Sequence, residues 1–252
     1  MPLDVVDLRS FYADPLGRIA HRTVARIVRD WWPNVTGQAM LGLGYAVPYL
    51  AVFGEEAMRV LGFMPAEQGV VHWPSAASTS TTLVDTDCLP LPDGCIDRLL
   101  LVHLLEVSEH PRDVLAESWR VLAPGGRMIA VAPNRRGWWA RSDATPFGHG
   151  QPFSRSQLHG LMRETLFSPE RAEEALFVPP FARRLATRIA PAMEACGRRL
   201  ALPGAGVHLM EVSKQLYRPI PLRRASRYAA LRRAEPALAP ALPRAARRPP
   251  AP

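Results

Sequence analysis

The sequence predicts an α/β fold, in which an open, mostly parallel β-sheet is covered by helices on both faces. Three observations predict it. Short apolar runs alternate with segments of helical period, as in chains that build such sheets. The run "IDRLLLVHL" (96–104) is continuously apolar, which is typical of a strand buried on both faces. Clusters of Gly, Pro, Ser and Asp separate the runs, so each run can be one element.

Length and composition predict one sizeable domain with appendages. The chain has 252 residues, of which 48% are hydrophobic, enough to form a core. We divide it into an N-terminal helical segment that packs on the core (1–35), an α/β domain (36–217) and a tail (218–252). The tail is rich in Pro, Ala and Arg and has few large apolar groups, which predicts disorder.

The positive charge is concentrated in the tail. From Pro219 onward the chain has eight arginines and one glutamate, so nearly all of the net charge of +8 lies there. A basic arm of this kind can bind nucleic acid or an anionic surface by releasing counterions. A solvated extension is the alternative, and the sequence leaves both open.

Targeting signals and cysteine pairs are not apparent in the sequence. The start, "MPLDVVDLRSFY", carries Asp4 and Asp7 and no apolar h-region, so we expect no signal peptide. No run approaches the roughly 20 apolar residues of a membrane-spanning helix. The three cysteines, Cys88, Cys95 and Cys196, form neither a CxxC pair nor a disulfide framework. These features favour the cytoplasm, and we expect no metal site.

The first elements follow from periodicity and turn chemistry. The segment "PLGRIAHRTVARIVRDWW" (15–32) has an apolar stripe at helical spacing and arginines on the opposite face, which predicts an amphipathic helix. The stripe comprises Leu16, Ile19, Ala20, Thr23, Val24, Ile27, Val28 and Trp31. The run "QAMLGLG" (38–44) predicts a buried strand that enters a turn, and Pro48 suits the start of a following helix.

The later elements alternate in the same way. Ser154 and Gln157 have the spacing of a capping box, which predicts a helix start. The predicted strands are 57–64, 81–84, 96–104, 127–133, 173–178 and 206–215, and the predicted helices are 111–122, 154–167 and 181–200.

Four sequence motifs occur in an order that is typical of one protein family. The glycine turn "LGLGYAVP" is followed by "DTDCLPLPDGCID" (85–97), then "RLLLVHLLE", then "PRDVLAESWRVLAPGGRMIAVAPN" (111–134). This series resembles the class I S-adenosylmethionine-dependent methyltransferases, in the branch that includes ubiquinone- and menaquinone-biosynthesis enzymes, over about residues 38–135. The resemblance implies a Rossmann-like three-layer sandwich with a late antiparallel strand. It also implies S-adenosylmethionine as cofactor and a small-molecule acceptor.

The resemblance also assigns cofactor-binding residues. Gly44 matches the first motif glycine, and Asp85 matches the acid that accepts the adenine amino group. His103 lies where the fourth strand opens toward the transferable methyl group. The full set implied for the cofactor is Gly42, Leu43, Gly44, Tyr45, Ala46, Phe63, Met64, Asp85, Thr86 and His103.

The chain lacks two acids of the family pattern, one at the start of the glycine motif and one at the end of the second strand. Gly42 replaces the acid that begins the motif, and the second strand ends in "LGFMP" with no acid before Glu67. Each lost charge-assisted hydrogen bond costs about 1.5–3 kcal/mol. We therefore expect an altered site, with an apolar clamp from Phe63, Met64 and Trp73, or a site that no longer binds. An altered site requires Asp85 and the backbone amides around Tyr45 to face one crevice.

The loop 134–153 is the candidate substrate region. It concentrates aromatic, cationic and flexible residues, a composition that suits a lid over a partly apolar, partly anionic acceptor. Trp138, Arg141 and His149 are its candidate contacts, and His103 and His149 are the candidate catalytic bases. A packed Ω-loop is the alternative. Glu106 and Glu109 are expected on an exposed loop.

Three rival functions are weighed against small-molecule methyl transfer. A nicotinamide dehydrogenase fits less well, because "GLGYAV" lacks the third small residue and no ribose-binding acid follows. A nucleic-acid methyltransferase that uses the tail as an arm would need a base-grasping tetrapeptide such as "NPPY", where the chain reads "VHLLEV". A catalytically inert, methyltransferase-like binding module stays open.

Overall fold

The structure is a computed structural model, described here for residues 3–180, 183–200 and 202–216, with side chains of 183–189 left aside. Met1–Leu216 form one compact unit. The predicted disorder of the tail falls outside the described residues. No helix in the described ranges is both long and apolar enough to cross a membrane.

Seven strands form a single sheet in the order β3-β2-β1-β4-β5-β7-β6. Strands β1 to β5 pair in parallel, and β7 is antiparallel to both β5 and β6. The predicted α/β class and late antiparallel strand are thus confirmed. The strands are β1 (Ala39–Gly44), β2 (Arg59–Pro65), β3 (Thr81–Val84), β4 (Ile96–Val102), β5 (Leu122–Pro133), β6 (Ser168–Ala175) and β7 (Val207–Ser213).

Helices cover both faces of the sheet. They are α1 (Val5–Ala13), α2 (Pro15–Trp31), α3 (Val47–Leu50), α4 (Pro111–Val121), α5 (Arg155–Glu164) and α6 (Arg183–Leu200). Successive strand residues point to opposite faces, so Met40 and Leu100 pack with α2 and α3, whereas Leu41 and Leu99 pack with α4 and α5. Two apolar cores on either side of the sheet therefore give the three-layer sandwich.

Most predicted elements agree with the structure, with shifted ends. Every residue of the apolar stripe of α2 is buried, and the capping box of Ser154 and Gln157 is formed. Strand β6 begins five residues before the prediction, at Ser168, and ends before Leu176. Its early residues are charged and half-exposed because β6 is an edge strand, so no apolar run marked them.

The connections near the glycine turn are unusually poor in helix. Pro48 lies at the second position of α3, which has only four residues before a short 3₁₀ turn (Ala51–Phe53). Residues 66–80, between β2 and β3, contain no helix. Helix α1 lies there instead. The backbone N–H of Val5 donates to the carbonyl of Gln68 at 2.7 Å, so α1 is held at the carboxyl end of the sheet.

Candidate functional site

The two glycines of the turn are required by packing. Gly44 has φ +74°, and a Cβ there would lie 2.3 Å from the carbonyl oxygen of Val102. A Cβ on Gly42 would lie 2.6 Å from Leu50 Cδ1. The Tyr45 N–H donates to the Val102 carbonyl at 2.8 Å. The turn therefore seats α3 against β1 and β4 closely, which explains both glycines without a ligand.

A first cavity, of about 390 Å³, opens at the carboxyl ends of β2, β3 and β4. Its wall carries four exposed acids, Glu67, Asp85, Asp87 and Glu109. We call it the acidic cavity. The hydrogen bond with Asp85 and the charge of that carboxylate raise the pKa of Asp87 above its ordinary value. The acids are thus close enough to interact, and the cavity favours positively charged or hydrogen-donating ligands.

Gln68 gives the acidic cavity an unused acceptor. The residue lines the cavity and is 4% exposed. Its Nε2 donates to the carbonyl of His103 at 3.2 Å, while its Oε1 is a buried oxygen without a hydrogen-bond partner in the described part of the chain. A buried polar atom left unpaired costs free energy. A ligand donor in the cavity would remove that cost.

A second cavity, of about 580 Å³, lies on the other side of the N-terminal segment. Two basic side chains, Arg9 and His72, line it together with Tyr45 and Trp73. The rest of its wall is small or apolar, and we call it the basic cavity. Both basic side chains are exposed at its edge. Its electrostatic character is therefore opposite to that of the acidic cavity.

The N-terminal segment separates the two cavities. Leu3 lines the acidic cavity, whereas Val5 lines the basic one. Leu3 also packs with Tyr45 and Met64 in one apolar cluster. Asp85 and Tyr45 consequently line different cavities, and the expectation that they face one crevice is wrong for this arrangement. The physical reason is that α1 fills the space left by the missing connecting helices.

A chain of hydrogen bonds runs beneath α1. The Tyr12 hydroxyl lies 2.8 Å from the Tyr49 hydroxyl and 2.8 Å from His103 Nε2, and His103 Nδ1 lies 3.2 Å from Glu106 Oε1. A carboxylate only accepts, so a neutral His103 carries its proton on Nδ1 and accepts from Tyr12 at Nε2. Burial, followed by the neighbouring Tyr49, raises the pKa of Tyr12. Tyr12 therefore stays protonated and can donate.

His103 has a left-handed backbone conformation. Its φ is +52°, a region that non-glycine residues rarely adopt and that clusters at active sites. The ring is fully buried. Glu106 was expected on an exposed loop, but it is 2% exposed, because the backbone at Gly150 and Gln151 closes over it and the Gln151 N–H donates to its carbonyl. Glu109 is exposed as expected.

The loop 134–153 is tightly packed. Trp139 is fully buried and donates through Nε1 to the carbonyl of Val178 at 2.7 Å. A Cβ on Gly148 would lie 2.2 Å from the carbonyl oxygen of Ser142. The candidate contacts lie on the outer part of this loop. Trp138 is 42% exposed, Arg141 is exposed, and His149 Nε2 lies 3.2 Å from the carbonyl of Asp143. These three residues line neither the acidic nor the basic cavity.

The predicted cofactor residues are divided among three environments. Asp85 and Thr86 line the acidic cavity, and Tyr45 lines the basic one. The others are buried in the cores or the strands: Gly42, Leu43, Gly44, Ala46, Phe63, Met64 and His103.

Sequence reasoning missed several residues of the two cavities. Among them are Arg9, Gln68, Val70, His72, Asp87 and His110. It also missed Tyr12, which lies in the hydrogen-bond chain beneath α1. One usable signal was present at the start of the chain. Asp4 precedes apolar and aromatic residues at helical spacing, and its side chain caps α1 by accepting from the Val6 N–H at 2.9 Å. That pattern predicts a helix, although it does not say where the helix packs.

Comparisons with known proteins find a family match over part of the chain. The methyltransferase domain family matches residues 40–130. A curated relative from Mycolicibacterium smegmatis, named "Probable S-adenosylmethionine-dependent methyltransferase", is 28% identical over 159 residues, or 61% of this chain. The chain spans 56% of the length of that relative.

Solved structures show the same fold. A methyltransferase of Thermotoga maritima, described as a "possible histamine N-methyltransferase", aligns with TM-score 0.59 and 18% identity, covering 84% of this chain and 96% of that one. A methyltransferase of Mesorhizobium loti aligns with TM-score 0.55 and 15% identity, over 75% and 96% of the two chains. The [4+2]-cyclase SpnF aligns with TM-score 0.53 and 20% identity, over 79% and 82%. Residues 40–130 of this chain are thus similar to the methyltransferase domain family, and the chain has the class I methyltransferase fold.

Proposed function

We propose that the protein is an S-adenosylmethionine-dependent methyltransferase that acts on a small-molecule acceptor. The acidic cavity carries this proposal, because it lies at the carboxyl ends of β2, β3 and β4, where open α/β sheets bind their ligands. Asp85, the residue that matches the adenine-binding acid of the family, lines it. A volume of about 390 Å³ lies within the range of small-molecule sites.

The hydrogen-bond acceptors of the acidic cavity fit an adenosine. Asp85 offers a carboxylate to the adenine amino group, and Glu67 offers one to the ribose hydroxyls in place of the acid missing from the end of β2. Gln68 Oε1 is a further acceptor that has no partner among the described residues. Three hydrogen-bond acceptors in the wall of one cavity suit a ligand that has several N–H or O–H donors and little negative charge.

The methionine end of the cofactor does not fit while residues 3–5 stay in place. Leu3 and Val5 separate the acidic cavity from Tyr45, which matches the residue beside the methionine in the family. Residues 3–5 separate the two cavities, and of these three residues only Val5 belongs to α1. We propose that this segment moves aside when the cofactor binds, while the rest of α1 keeps its place.

S-adenosylmethionine supplies an activated methyl group in an in-line displacement, and the protein supplies alignment and desolvation. His103 is the residue that we assign as proton acceptor for the methyl acceptor. Glu106 orients its ring through Nδ1, and the lone pair on Nε2 points at the Tyr12 hydroxyl. As the methyl acceptor gives its proton to the Tyr12 oxygen, Tyr12 would pass its own proton to that lone pair, so the tyrosine stays neutral. Neither histidine lines a cavity. Only His103 is joined to a half-buried hydroxyl that could relay a proton, that of Tyr12, so we assign His149 no proton transfer.

Calorimetric titration of the full chain tests the cofactor site. S-adenosylhomocysteine is expected to bind, and Asp85→Ala is expected to weaken it about tenfold or more, the effect of one charge-assisted hydrogen bond. Asp30→Ala, which removes an exposed carboxylate from α2, is the matched control. Methylthioadenosine lacks the amino-acid end, so it is expected to bind more weakly than S-adenosylhomocysteine if residues 3–5 move aside. Equal affinities would contradict that movement.

A catalytically inert binding module is the second candidate, and the separation of the two cavities favours it. The structural similarity to a [4+2]-cyclase also shows that this fold is not restricted to methyl transfer. The two candidates differ in one measurement. No binding of S-adenosylmethionine or S-adenosylhomocysteine up to millimolar concentration would favour the inert module.

A further inference from the structure

The basic cavity has no role in the assignments above, and its wall is chemically unlike that of the acidic cavity. Among the described residues no acid lines it, and its two basic side chains are Arg9 and His72. Most of the remaining wall is apolar, with valines from α1, α3 and the β2–β3 connection. A cavity of about 580 Å³ with this lining is large enough for a small molecule.

Arg9 is placed to meet a ligand rather than a carboxylate of the protein. It lies one turn after Val5 on α1, so both side chains are on the face that borders the cavity. In the described ranges no carboxylate forms an ion pair with it. Burial raises the pKa of the Tyr45 hydroxyl, and the positive charge of Arg9 acts in the opposite direction. The guanidinium is therefore within electrostatic reach of Tyr45 in the cavity wall.

The apolar part of the cavity is also open to a ligand. Val6, on the same helix and lining the same cavity, is 67% exposed. Trp73 is half-buried on the opposite connection. An apolar body between these residues would cover surface that is now in contact with water, which favours binding. Charge and apolar surface thus occur together in this cavity.

We propose that the basic cavity is the acceptor site of the methyltransferase and that it binds an amphiphilic carboxylate, with the acid on Arg9 and His72 and the apolar body against Tyr45 and Val47. The role of this cavity as the methyl-acceptor site rests on the proposed function. The chemical class of its ligand rests on the cavity alone. The two cavities meet at residues 3–5, so the movement proposed above for this segment would bring the acceptor next to the cofactor. The loop 134–153 takes no part in this assignment.

Three probes of one chain length test the ligand class on the full chain. Octanoate, octylamine and octanol share an apolar tail and differ only in the head group. Titration calorimetry is expected to show octanoate binding at least tenfold more tightly than the other two. Arg9→Gln is expected to weaken octanoate at least tenfold, and Arg9→Glu to reverse the preference toward octylamine. Arg26→Gln, an exposed arginine of α2 outside both cavities, is the control and is expected to change nothing.

The outcomes separate this inference from the proposed function. Equal binding of the three probes, or octanoate binding that Arg9→Gln leaves unchanged, overturns the carboxylate site. Arg9 is exposed, so its variants are expected to fold, which circular dichroism checks. Titration of the same variants with S-adenosylhomocysteine is expected to give affinities within twofold of the original chain. Octanoate binding without any S-adenosylhomocysteine binding overturns the methyltransferase and leaves the carboxylate site supported.

Discussion

The two halves of the sheet are built differently. From β4 to β7 the connections contain the full-length helices α4, α5 and α6. From β1 to β3 they contain only the four-residue α3, a 3₁₀ turn and irregular chain. The basic cavity is lined by α1 and by the connections from β1 to β3, and the acidic cavity lies between the ends of β2 and β3 and the segment after β4. The fully buried residues of β5 and β7 lie in the half from β4 to β7.

This difference assigns separate tasks to the halves. Regular helices on both faces bury the strands from β4 onward and stabilise the fold. The half without long helices leaves room at the carboxyl ends of its strands, and α1 and the 66–80 connection occupy part of that room. The remainder forms the acidic and basic cavities. The proposed binding sites therefore lie mainly in the half whose glycine turn and second strand depart from the methyltransferase pattern.

A pair of glycine variants gives the largest expected effect. Gly44 and Gly125 have φ of +74° and +75°, but a Cβ on Gly125 meets nothing within 4 Å. Gly125→Ala therefore isolates the left-handed backbone cost of about 1–2 kcal/mol. Gly44→Ala adds the clash with the Val102 carbonyl, and we expect a loss of about 3–5 kcal/mol in the free energy of unfolding. Urea denaturation measures both. Equal losses would show that the turn is looser than its geometry implies.

A pH titration of stability tests the half with long helices. Burial, with the charge of Arg155, lowers the pKa of His208 in β7 to about 4 from its ordinary value of 6.5. Between those values the unfolded chain binds more protons, so stability falls as pH falls. We expect His208 to cause a loss of about 2 kcal/mol between pH 7 and pH 5. His208→Gln should remove this loss, whereas His159→Gln, an exposed histidine of α5, should not. An unchanged slope in His208→Gln would contradict the assignment.

Removal of one hydroxyl tests how α1 is held on the other half. Tyr12→Phe keeps the ring that stacks on Tyr45, with centroids 5.5 Å apart, but leaves His103 Nε2 without its donor. We expect a loss of about 1–2 kcal/mol in the free energy of unfolding. Tyr45→Phe is the matched control, because the Tyr45 hydroxyl makes no hydrogen bond with any described residue. Denaturant unfolding of both variants measures the two losses. Equal losses in the free energy of unfolding would refute the hydrogen-bond chain.

The sequence was a good guide to the elements and a poor one to the cavities. Apolar runs and capping residues mark strands and helices locally, so the strand order needed only the family resemblance and right-handed connections. The cavities join Arg9, Glu67 and Asp85 from three separate stretches of chain. Their proximity depends on where α1 packs. That position results from Leu3 and Leu8 contacting Tyr45 and Met64, a tertiary choice that no local pattern encodes.

Two residues show which positions local sequence can predict and which it cannot. Glu106 was placed on an exposed loop because charged residues after a strand are usually solvated. Its burial depends on Gln151, 45 positions later in the chain, whose N–H donates to the Glu106 carbonyl. Asp85, by contrast, lines the acidic cavity, because the residues after a parallel strand meet at the carboxyl edge of the sheet whatever packs above them.

Deletion of residues 219–252 is the prediction with the smallest expected effect. The residues that line both cavities all fall within the compact unit Met1–Leu216. S-adenosylhomocysteine affinity is therefore expected to stay within twofold of that of the full chain. Titration at two salt concentrations sharpens the test, because eight arginines leave with the deletion and their long-range field is screened at high salt. A tenfold loss at both salt concentrations would mean that the tail supplies part of the site, and the division of tasks between the two halves of the sheet would then be incomplete.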